Sequence, residues 1–331
     1  MSIARHIHET LSNGGRVALI CNPTPDEILA ATGVGYYAHV NTCDFHLVKQ
    51  DAYQPALDEV VFQMPACTRE IEQAFVQRVW NGFVKVTCKE KQSKTELRHL
   101  VYACASDNPT MPEIVHRYLR LGFSVGNQIH EDITCKEVAA FLGLVRHTSN
   151  ECEKTRQFVR FSQQSDGTFM ARFSPAAHTI PLVASYFAAR MRPERFVLVD
   201  PVHLVAAFHE RGARYCGIAQ VDRHIAEELT STHNLAQEEQ YIRAMWKHFY
   251  DAMELEGRRK EQRGYDLRVS WMPKRFWSEL PELSALSDNA GSLIPIAMPV
   301  THGSDAVTPQ LKQAEQTKTR QELDVSILPG K

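Results

Sequence analysis

The sequence lacks the cysteine spacing that metal and iron–sulfur sites usually have. None of its eight cysteines lies within ten residues of another, whereas the cysteine ligands of such sites usually lie a few residues apart. Neither a CxxC pair nor a CxxxCxxC cluster motif occurs. We therefore expect no metal and no cofactor. Cysteines scattered in this way are mostly small buried hydrophobic residues.

Long apolar runs and a strong net charge are also absent. The longest apolar run covers residues 138–145, far fewer than the roughly 18–20 residues of a membrane-spanning helix. The first residues, MSIARHIHETLSNGG, lack the apolar segment of a secretory signal. We therefore predict a cytoplasmic protein with no membrane contact. The formal net charge of -2 excludes a histone-like coat protein but is compatible with a local basic surface.

The common catalytic motifs are missing as well. The sequence contains no G-x-S-x-G, H-E-x-x-H or G-x-G-x-x-G motif and no Walker A loop. The usual hydrolase, zinc-protease and nucleotide-binding functions therefore have no support from motifs.

The periodicity of the apolar residues predicts an α+β protein. Residues 16–21 (RVALIC) form an apolar run typical of a buried strand. Thr24 and Pro25 then suit the cap and the first position of a helix that ends near residue 39. Further predicted strands cover residues 45–49, 59–64, 158–162, 168–173, 195–200 and 203–209. Further predicted helices cover residues 68–80, 95–105, 111–123, 181–191 and 237–256, and a capping box at 134–137 opens another.

These elements divide into three segments. Residues 1–90 form a small α/β unit, and residues 91–283 form a larger domain with helices, an antiparallel sheet and closing C-terminal helices. Within that domain, period-two alternation around Ser165-Asp166-Gly167 predicts a β-hairpin. Residues 284–331 have little periodicity and are rich in Ser, Thr, Gln, Gly and Pro, so we predict a mostly disordered tail.

Several stretches of this larger domain together resemble a known family. They are RYLRLG at 117–122, FVRF at 158–161, the hairpin at 166–167, the stretch 175–187, MWKHFY at 245–250, MPKRFW at 272–277 and LPE at 280–282. In this order they resemble the radical-SAM-linked family of probable DNA-metabolism proteins, over about residues 95–283. The C-terminal domain of that family has no known function, and it looks like one found fused to uracil-DNA-glycosylase-like domains.

The resemblance implies a DNA-repair or DNA-modification role beside a radical-SAM partner protein, with DNA as the favoured nucleic acid. The chain departs from the family pattern at positions that are usually polar. Glu153 stands where a His is expected, and Ala176 and Ala177 stand in an expected polar cluster of which His178 remains. The turn after the long helix reads Glu-Gly-Arg-Arg at 256–259. If those polar positions carry chemistry in the family, this chain has lost or altered it.

Four polar residues are candidates for catalysis. His147 and Glu151 are four residues apart on a predicted helix and so share a face, where Glu151 would orient an imidazole that acts as a base. The alternative is a surface pair with a small effect on stability. Glu153 and His178 are further candidates through their place in the family pattern. His178 could also form a nitrogen-rich metal site with His203 and His209, but on a straight strand the latter two would lie roughly 20 Å apart, which is too far for joint ligation.

Two basic regions are candidates for nucleic-acid binding. Arg156, Arg160 and Arg172 flank or lie on the predicted hairpin, which could present them to phosphates or to solvent. The stretch 243–277 carries nine Lys or Arg against five acidic residues, interleaved with aromatic residues, a composition that suits unpaired bases. Its candidates are Trp246, Lys247, Lys274, Arg275 and Trp277. The alternative is that the aromatic residues close a core, in which Met245, Phe249 and Met253 would take part by spacing.

We therefore expect a DNA-metabolism protein that acts with a radical-SAM partner, through binding of nucleic acid. Two alternatives stay open: a non-catalytic adapter that binds only protein, and a glycosylase-like or hydrolase-like enzyme that processes a base. Salt-dependent binding would favour nucleic-acid contact over the adapter. A deep polar pocket at the catalytic candidates would favour the enzyme.

Overall fold

The structure, a computed structural model, describes residues 2–40, 43–50, 53–65, 70–89, 92–229, 235–252 and 272–280. All of these ranges belong to one compact unit, Met1–Ala290. The predicted tail, the end of the long helix after residue 252 and the turn at 256–259 lie outside the described residues. No helix in the described ranges is long and apolar enough to cross a membrane.

A parallel sheet of three strands, in the order β2–β1–β3, forms the centre of the N-terminal part. Its strands are β1 (Arg16–Ile20), β2 (Phe45–Val48) and β3 (Glu59–Gln63). Val17 of β1 pairs with Phe45 on one side and with Val60 on the other. The interior of β1 is buried on both faces, which explains its uninterrupted apolar sequence.

Five helices pack around this sheet in the first hydrophobic core, to which the first half of the next helix also contributes. They are α1 (Ser2–Ser12), α2 (Pro25–Tyr37), α3 (Glu70–Thr87), α4 (Ser93–Cys104) and α5 (Met111–Val125). The predicted start of α2 is confirmed, because the Thr24 hydroxyl accepts a hydrogen bond from the Glu27 N–H. A Cβ atom on Gly33 would lie 2.6 Å from the Phe75 ring, so only glycine allows α2 and α3 to approach this closely.

Helix α6 (Lys136–Phe158) follows, and it carries both His147 and Glu151 as predicted. Its cap residue is Cys135 and makes no side-chain capping bond, so the predicted capping box is wrong. The Thr134 hydroxyl instead donates to Asp132 at 2.7 Å. Phe158, predicted to begin a strand, is the last residue of α6. A short apolar alternation cannot distinguish the last turn of a helix from a strand.

A second sheet of five strands, in the order β4–β5–β6–β7–β8, forms the C-terminal part. Its strands are β4 (Ser162–Gln163), β5 (Phe169–Arg172), β6 (Phe196–Asp200), β7 (Val205–His209) and β8 (Gly217–Gln220). The predicted hairpin is β4–β5, with Gly167 at φ +80° in its turn. The α+β class is confirmed. The sheet is mixed rather than purely antiparallel, because β5 and β6 are parallel, joined by helix α7 (Ile180–Arg190).

The two faces of the second sheet are covered differently. We call the face that carries Ala171, Phe196, Leu198 and Ala207 the inner face, which packs against α7 and the closing 3-10 helix (Lys274–Glu279) in the second core. The outer face carries residues that alternate with these, namely Met170, Val197, Val199 and Ala206, and it packs against helix α8 (Arg223–Leu229). Helices α1 and α8 and strand β8 were not predicted.

Helix α9 (Gln237–Ala252) lies next to the hairpin. The Ala236 N–H, just before the helix, donates to the Gln163 carbonyl oxygen at 3.0 Å. Leu235 forms a β-bridge with Gln164. These backbone contacts bring the start of α9 to the free edge of β4.

Candidate functional site

His147 and Glu151 hold one backbone segment from the same face of α6. The His147 Nε2 atom lies 3.0 Å from the Ala176 carbonyl oxygen, to which it donates. The Ala176 N–H donates to Glu151 Oε2 at 2.9 Å. This pair therefore fixes the chain after β5, rather than a substrate.

Glu151 is an anchor for charged partners. It is 1% exposed, and it accepts hydrogen bonds from Lys154 Nζ at 2.8 Å and from Arg275 Nη2 at 2.6 Å. Burial alone would raise the pKa of Glu151, but the hydrogen bonds from Ala176, Lys154 and Arg275 outweigh it and lower that pKa. The Glu151 carboxylate is thus ionised at neutral pH, and both of its oxygens already accept hydrogen bonds. A general acid would instead hold a proton at that pH.

Glu153 and Arg156 form an ion pair on the exposed side of the same helix. The Arg156 guanidinium also lies over the Tyr186 ring, 5.6 Å from its centroid. Arg156 is therefore held at the surface of α6 and α7. It does not line the pocket described below, although the sequence grouped it with the arginines that do.

His178 lies beside a hydrogen-bonded chain of three other residues. The two ring nitrogens of His203 lie 2.6 Å from Asp200 Oδ2 and 2.8 Å from Asp107 Oδ1. Burial favours the neutral ring, but the bonds and charges of the two carboxylates outweigh it and raise the pKa of His203 to about 9. The His178 ring packs edge-on against His203 with centroids 5.2 Å apart, and burial and the His203 charge lower the pKa of His178.

This chain of residues forms because His203 lies in the β6–β7 turn, not on a strand as predicted. The turn carries Leu204 at φ +55°, a rare conformation for a branched residue. The Asp200 side chain is 1% exposed and also accepts the N–H groups of Val202 and His203. The ring nitrogens of His209, at the far end of β7, lie against two backbone carbonyl oxygens, with Nδ1 2.9 Å from that of Glu194 and Nε2 3.0 Å from that of Ala213. Among the described residues, no group of three or more His, Cys, Asp or Glu is arranged to hold a metal ion.

A pocket at the hairpin collects three arginines from separate segments. Arg160 follows α6, Arg172 ends β5, and Arg243 lies on α9; all three line a cavity of about 340 Å³. Arg172 faces outward because it alternates with the buried Ala171 on β5. We call this cavity the arginine pocket.

Polar groups complete the arginine pocket. The Arg243 guanidinium donates to the Ser162 hydroxyl, and Ser278 and Glu279 of the closing 3-10 helix also line the cavity. Arg172 Nε lies 3.7 Å from Glu279 Oε1. Burial raises the pKa of Glu279, although hydrogen bonds from Ser174 oppose the shift. The lining therefore holds three guanidinium groups against one carboxyl group, and just outside the lining Glu239 pairs with Arg243, with Glu239 Oε1 3.2 Å from Arg243 Nε.

The remaining predicted residues lie on α9 and the closing 3-10 helix. Trp246 is 41% exposed, one turn after Arg243, and Lys247 lies on the same helix with its side chain outside the described set. Lys274 Nζ lies 5.9 Å from the Trp277 ring centroid. The Trp277 Nε1–H donates to the Met272 carbonyl oxygen at 3.3 Å, so Trp277 serves the packing of the closing helix.

Spacing misjudged the core face of α9. Met245, predicted to be core, is 68% exposed, and the side chains of Phe249 and Met253 lie outside the described residues. Arg243 was counted in the basic stretch but was not singled out, and Ser162, Ser278 and Glu279 were missed. No local signal marks them, because the residues that meet in the arginine pocket come from positions as far apart as 160 and 279.

Comparison with known proteins gives a family and no activity. Among curated proteins, none matches this sequence. A family model described as a domain of unknown function, DUF4130, matches residues 109–282, from the start of α5 to just beyond the closing 3-10 helix. This range is just over half of the chain, and it contains every residue of the arginine pocket. The chain therefore belongs to the family that carries this domain of unknown function.

Proposed function

We propose that the chain is a nucleic-acid-binding protein of DNA metabolism whose arginine pocket holds a backbone phosphate. The observation that carries the proposal is the convergence of Arg160, Arg172 and Arg243 on one cavity. Two of these three arginines were already candidates on the sequence alone. An anion site requires several cationic groups that meet at one place, and Arg243 of helix α9 meets the other two there. A sheet face that is merely solvated has no such requirement.

Phosphate suits the geometry of this lining. Guanidinium groups bind phosphate oxygens in a planar, two-pronged arrangement, and hydroxyl groups such as those of Ser162 and Ser278 are common phosphate donors. The exposed ring of Trp246 lies one helical turn from Arg243. An aromatic ring beside a basic pocket suits a nucleic acid better than free phosphate, because an unpaired base can stack on it.

The resemblance to radical-SAM-linked proteins supports the remaining part of the proposal. In that setting the chain would bind DNA for a radical-SAM partner that carries out the chemistry. Glu151 already accepts a hydrogen bond from Arg275, and His147 donates to the Ala176 carbonyl oxygen. These contacts fit a binding protein better than catalysis by this pair. Family membership alone does not distinguish DNA from RNA, so both belong in the experiment.

Fluorescence anisotropy of labelled single-stranded DNA, single-stranded RNA and double-stranded DNA, repeated across a salt series, tests the proposal. We expect single-stranded DNA to bind and its affinity to fall as the salt concentration rises. A plot of the logarithm of the binding constant against the logarithm of the salt concentration should have a slope of about -0.7 for each neutralised phosphate. Arg172→Ala and Arg243→Ala should each weaken binding about tenfold and reduce that slope by about one phosphate. Arg275→Ala is unsuitable because Arg275 is the partner of the buried Glu151.

Arg5→Ala is the matched control, because Arg5 is exposed on α1 and lies outside the arginine-pocket lining. It should bind as the unmodified chain does. Absence of binding at low salt would overturn the proposal and leave the protein-binding adapter in its place. Equal loss in the Arg5 and Arg172 variants would indicate non-specific attraction and would remove the arginine pocket as the site.

A further inference from the structure

The arginine pocket continues into a second cavity on the outer face of the second sheet. This second cavity has a volume of about 520 Å³. Gln164, Met170 and Leu229 line both cavities. The two are therefore neighbouring parts of one groove, which runs from the hairpin edge across β5 and β6 beneath α8.

The two ends of the groove differ in chemistry. The second cavity has an apolar floor and wall formed by Met170, Val197, Ile225 and Leu229. Its ionisable residues are Arg195 against Asp166 and Glu228, so acidic groups outnumber basic ones. A phosphate belongs at the arginine end, and a neutral group with apolar faces belongs at the other end.

We propose that the second cavity holds an unpaired nucleobase whose adjoining phosphate lies in the arginine pocket. This inference rests on the proposed function and specifies its substrate class: single-stranded nucleic acid, or a nucleotide turned out of a duplex. The cavity volume lies within the range of roughly 300–1,000 Å³ that ligand pockets have. A base in an intact duplex is stacked and paired, and cannot enter such a cavity.

Gln164 is placed to contact the edge of the base. It lies at the boundary shared by the two cavities and is half-buried. Within the described residues, its side-chain amide makes no hydrogen bond, whereas its backbone groups bond to Thr168 and Gly167. An amide offers both a donor and an acceptor, the combination that base edges present.

An abasic oligonucleotide separates the two ends of the groove. Anisotropy would compare a labelled oligothymidylate with a strand of equal length in which abasic sites replace all bases, so that the number of phosphates is the same. We expect the intact strand to bind about tenfold more tightly, the effect of roughly one well-placed base. Arg172→Ala should weaken both strands equally.

Ile225→Asn tests the apolar end. Ile225 is 42% exposed on α8, so this change should leave the fold intact. We expect it to abolish the preference for the intact strand and leave the abasic strand unaffected. Ile218→Asn is the matched control, because Ile218 is 47% exposed on β8 and lies outside the lining of both cavities.

The outcomes distinguish this inference from the proposed function. Equal binding of the intact and abasic strands, with the arginine dependence retained, would overturn the base cavity and leave phosphate binding in place. A preference that survives Ile225→Asn but is lost in Ile218→Asn would move the base elsewhere and overturn the inference. Absence of binding by either strand would overturn both proposals.

Discussion

The inner and outer faces of the second sheet are made by the same strands but serve different purposes. Phe196 and Leu198 of β6 point inward and are fully buried, whereas Val197 between them points outward and lines the second cavity. The apolar residues of the inner face are buried against α7 and the closing 3-10 helix. Among the described residues, the helix that covers the outer face is the seven-residue α8. Strand alternation thus gives one sheet a stabilising side and a side with room for a ligand.

The largest test of this difference uses two phenylalanines on neighbouring strands. Phe196 is fully buried on the inner face and Phe208 is 36% exposed on the outer face. We expect Phe196→Ala to lower the free energy of unfolding by about 4 kcal/mol, through lost burial and a remaining cavity. Phe208→Ala should lower it by only about 1 kcal/mol. Urea unfolding measures both, and equal losses would contradict the assignment of the faces.

A buried charge on the inner side gives the next largest effect. Glu151→Gln keeps an acceptor for the Ala176 N–H but removes the charge that pairs with Lys154 and Arg275. We expect a loss of about 3 kcal/mol in unfolding free energy near neutral pH. Because folding lowers the pKa of Glu151, its contribution is present above the ordinary glutamate pKa and is lost as pH falls through the folded value.

The control for that change is Glu153→Gln, because Glu153 is exposed in an ion pair with Arg156. It should alter the unfolding free energy by no more than about 0.5 kcal/mol. If the two variants were equally stable at neutral pH and at pH about 3, Glu151 would not be the anchor described here.

The smallest effect concerns His203, in the β6–β7 turn at one end of the second sheet. Folding raises the pKa of His203 to about 9, so its contribution is fully present below the unfolded value of about 6.5 and is lost as pH rises through about 9. Solvent screening at the partly exposed Asp107 reduces this contribution to about 2 kcal/mol. Chemical unfolding of the unmodified chain and of His203→Gln should therefore differ at pH about 6 and converge at pH about 10. A constant difference would rule out an ionised His203.

Local features of the fold were accessible from the sequence. The Thr24 cap, the apolar run of β1 and the Gly167 turn each depend on a few adjacent residues, and each was predicted. The parallel pairing of β5 and β6 was not, because it depends on how α7 returns the chain to the sheet. Strand β8 was missed for a related reason: all four of its residues are exposed, so it has no apolar alternation.

The candidate site was accessible only in part. Alternation placed Arg160 and Arg172 near the hairpin, but nothing in the chain indicated that Leu235 would pair with Gln164 and bring Arg243 to the same cavity. The same limit explains Arg275, whose basic surroundings suggested a phosphate contact and whose guanidinium instead meets the buried Glu151. A basic side chain carries the same sequence signal whether its partner is a ligand or a distant carboxylate.

Helix α6 gives the molecule a mechanical property of its own. Its first half contributes Val138, Phe141 and Leu144 to the first core, and its second half contributes Cys152 to the second core. An unbroken helix of 23 residues is a rod of about 34 Å. One continuous helix, and not a flexible linker, therefore connects the cores of the two sheets. A break in the middle of α6 would leave its first half packed in the first core and its second half in the second core, and would remove the continuous helix that joins the two.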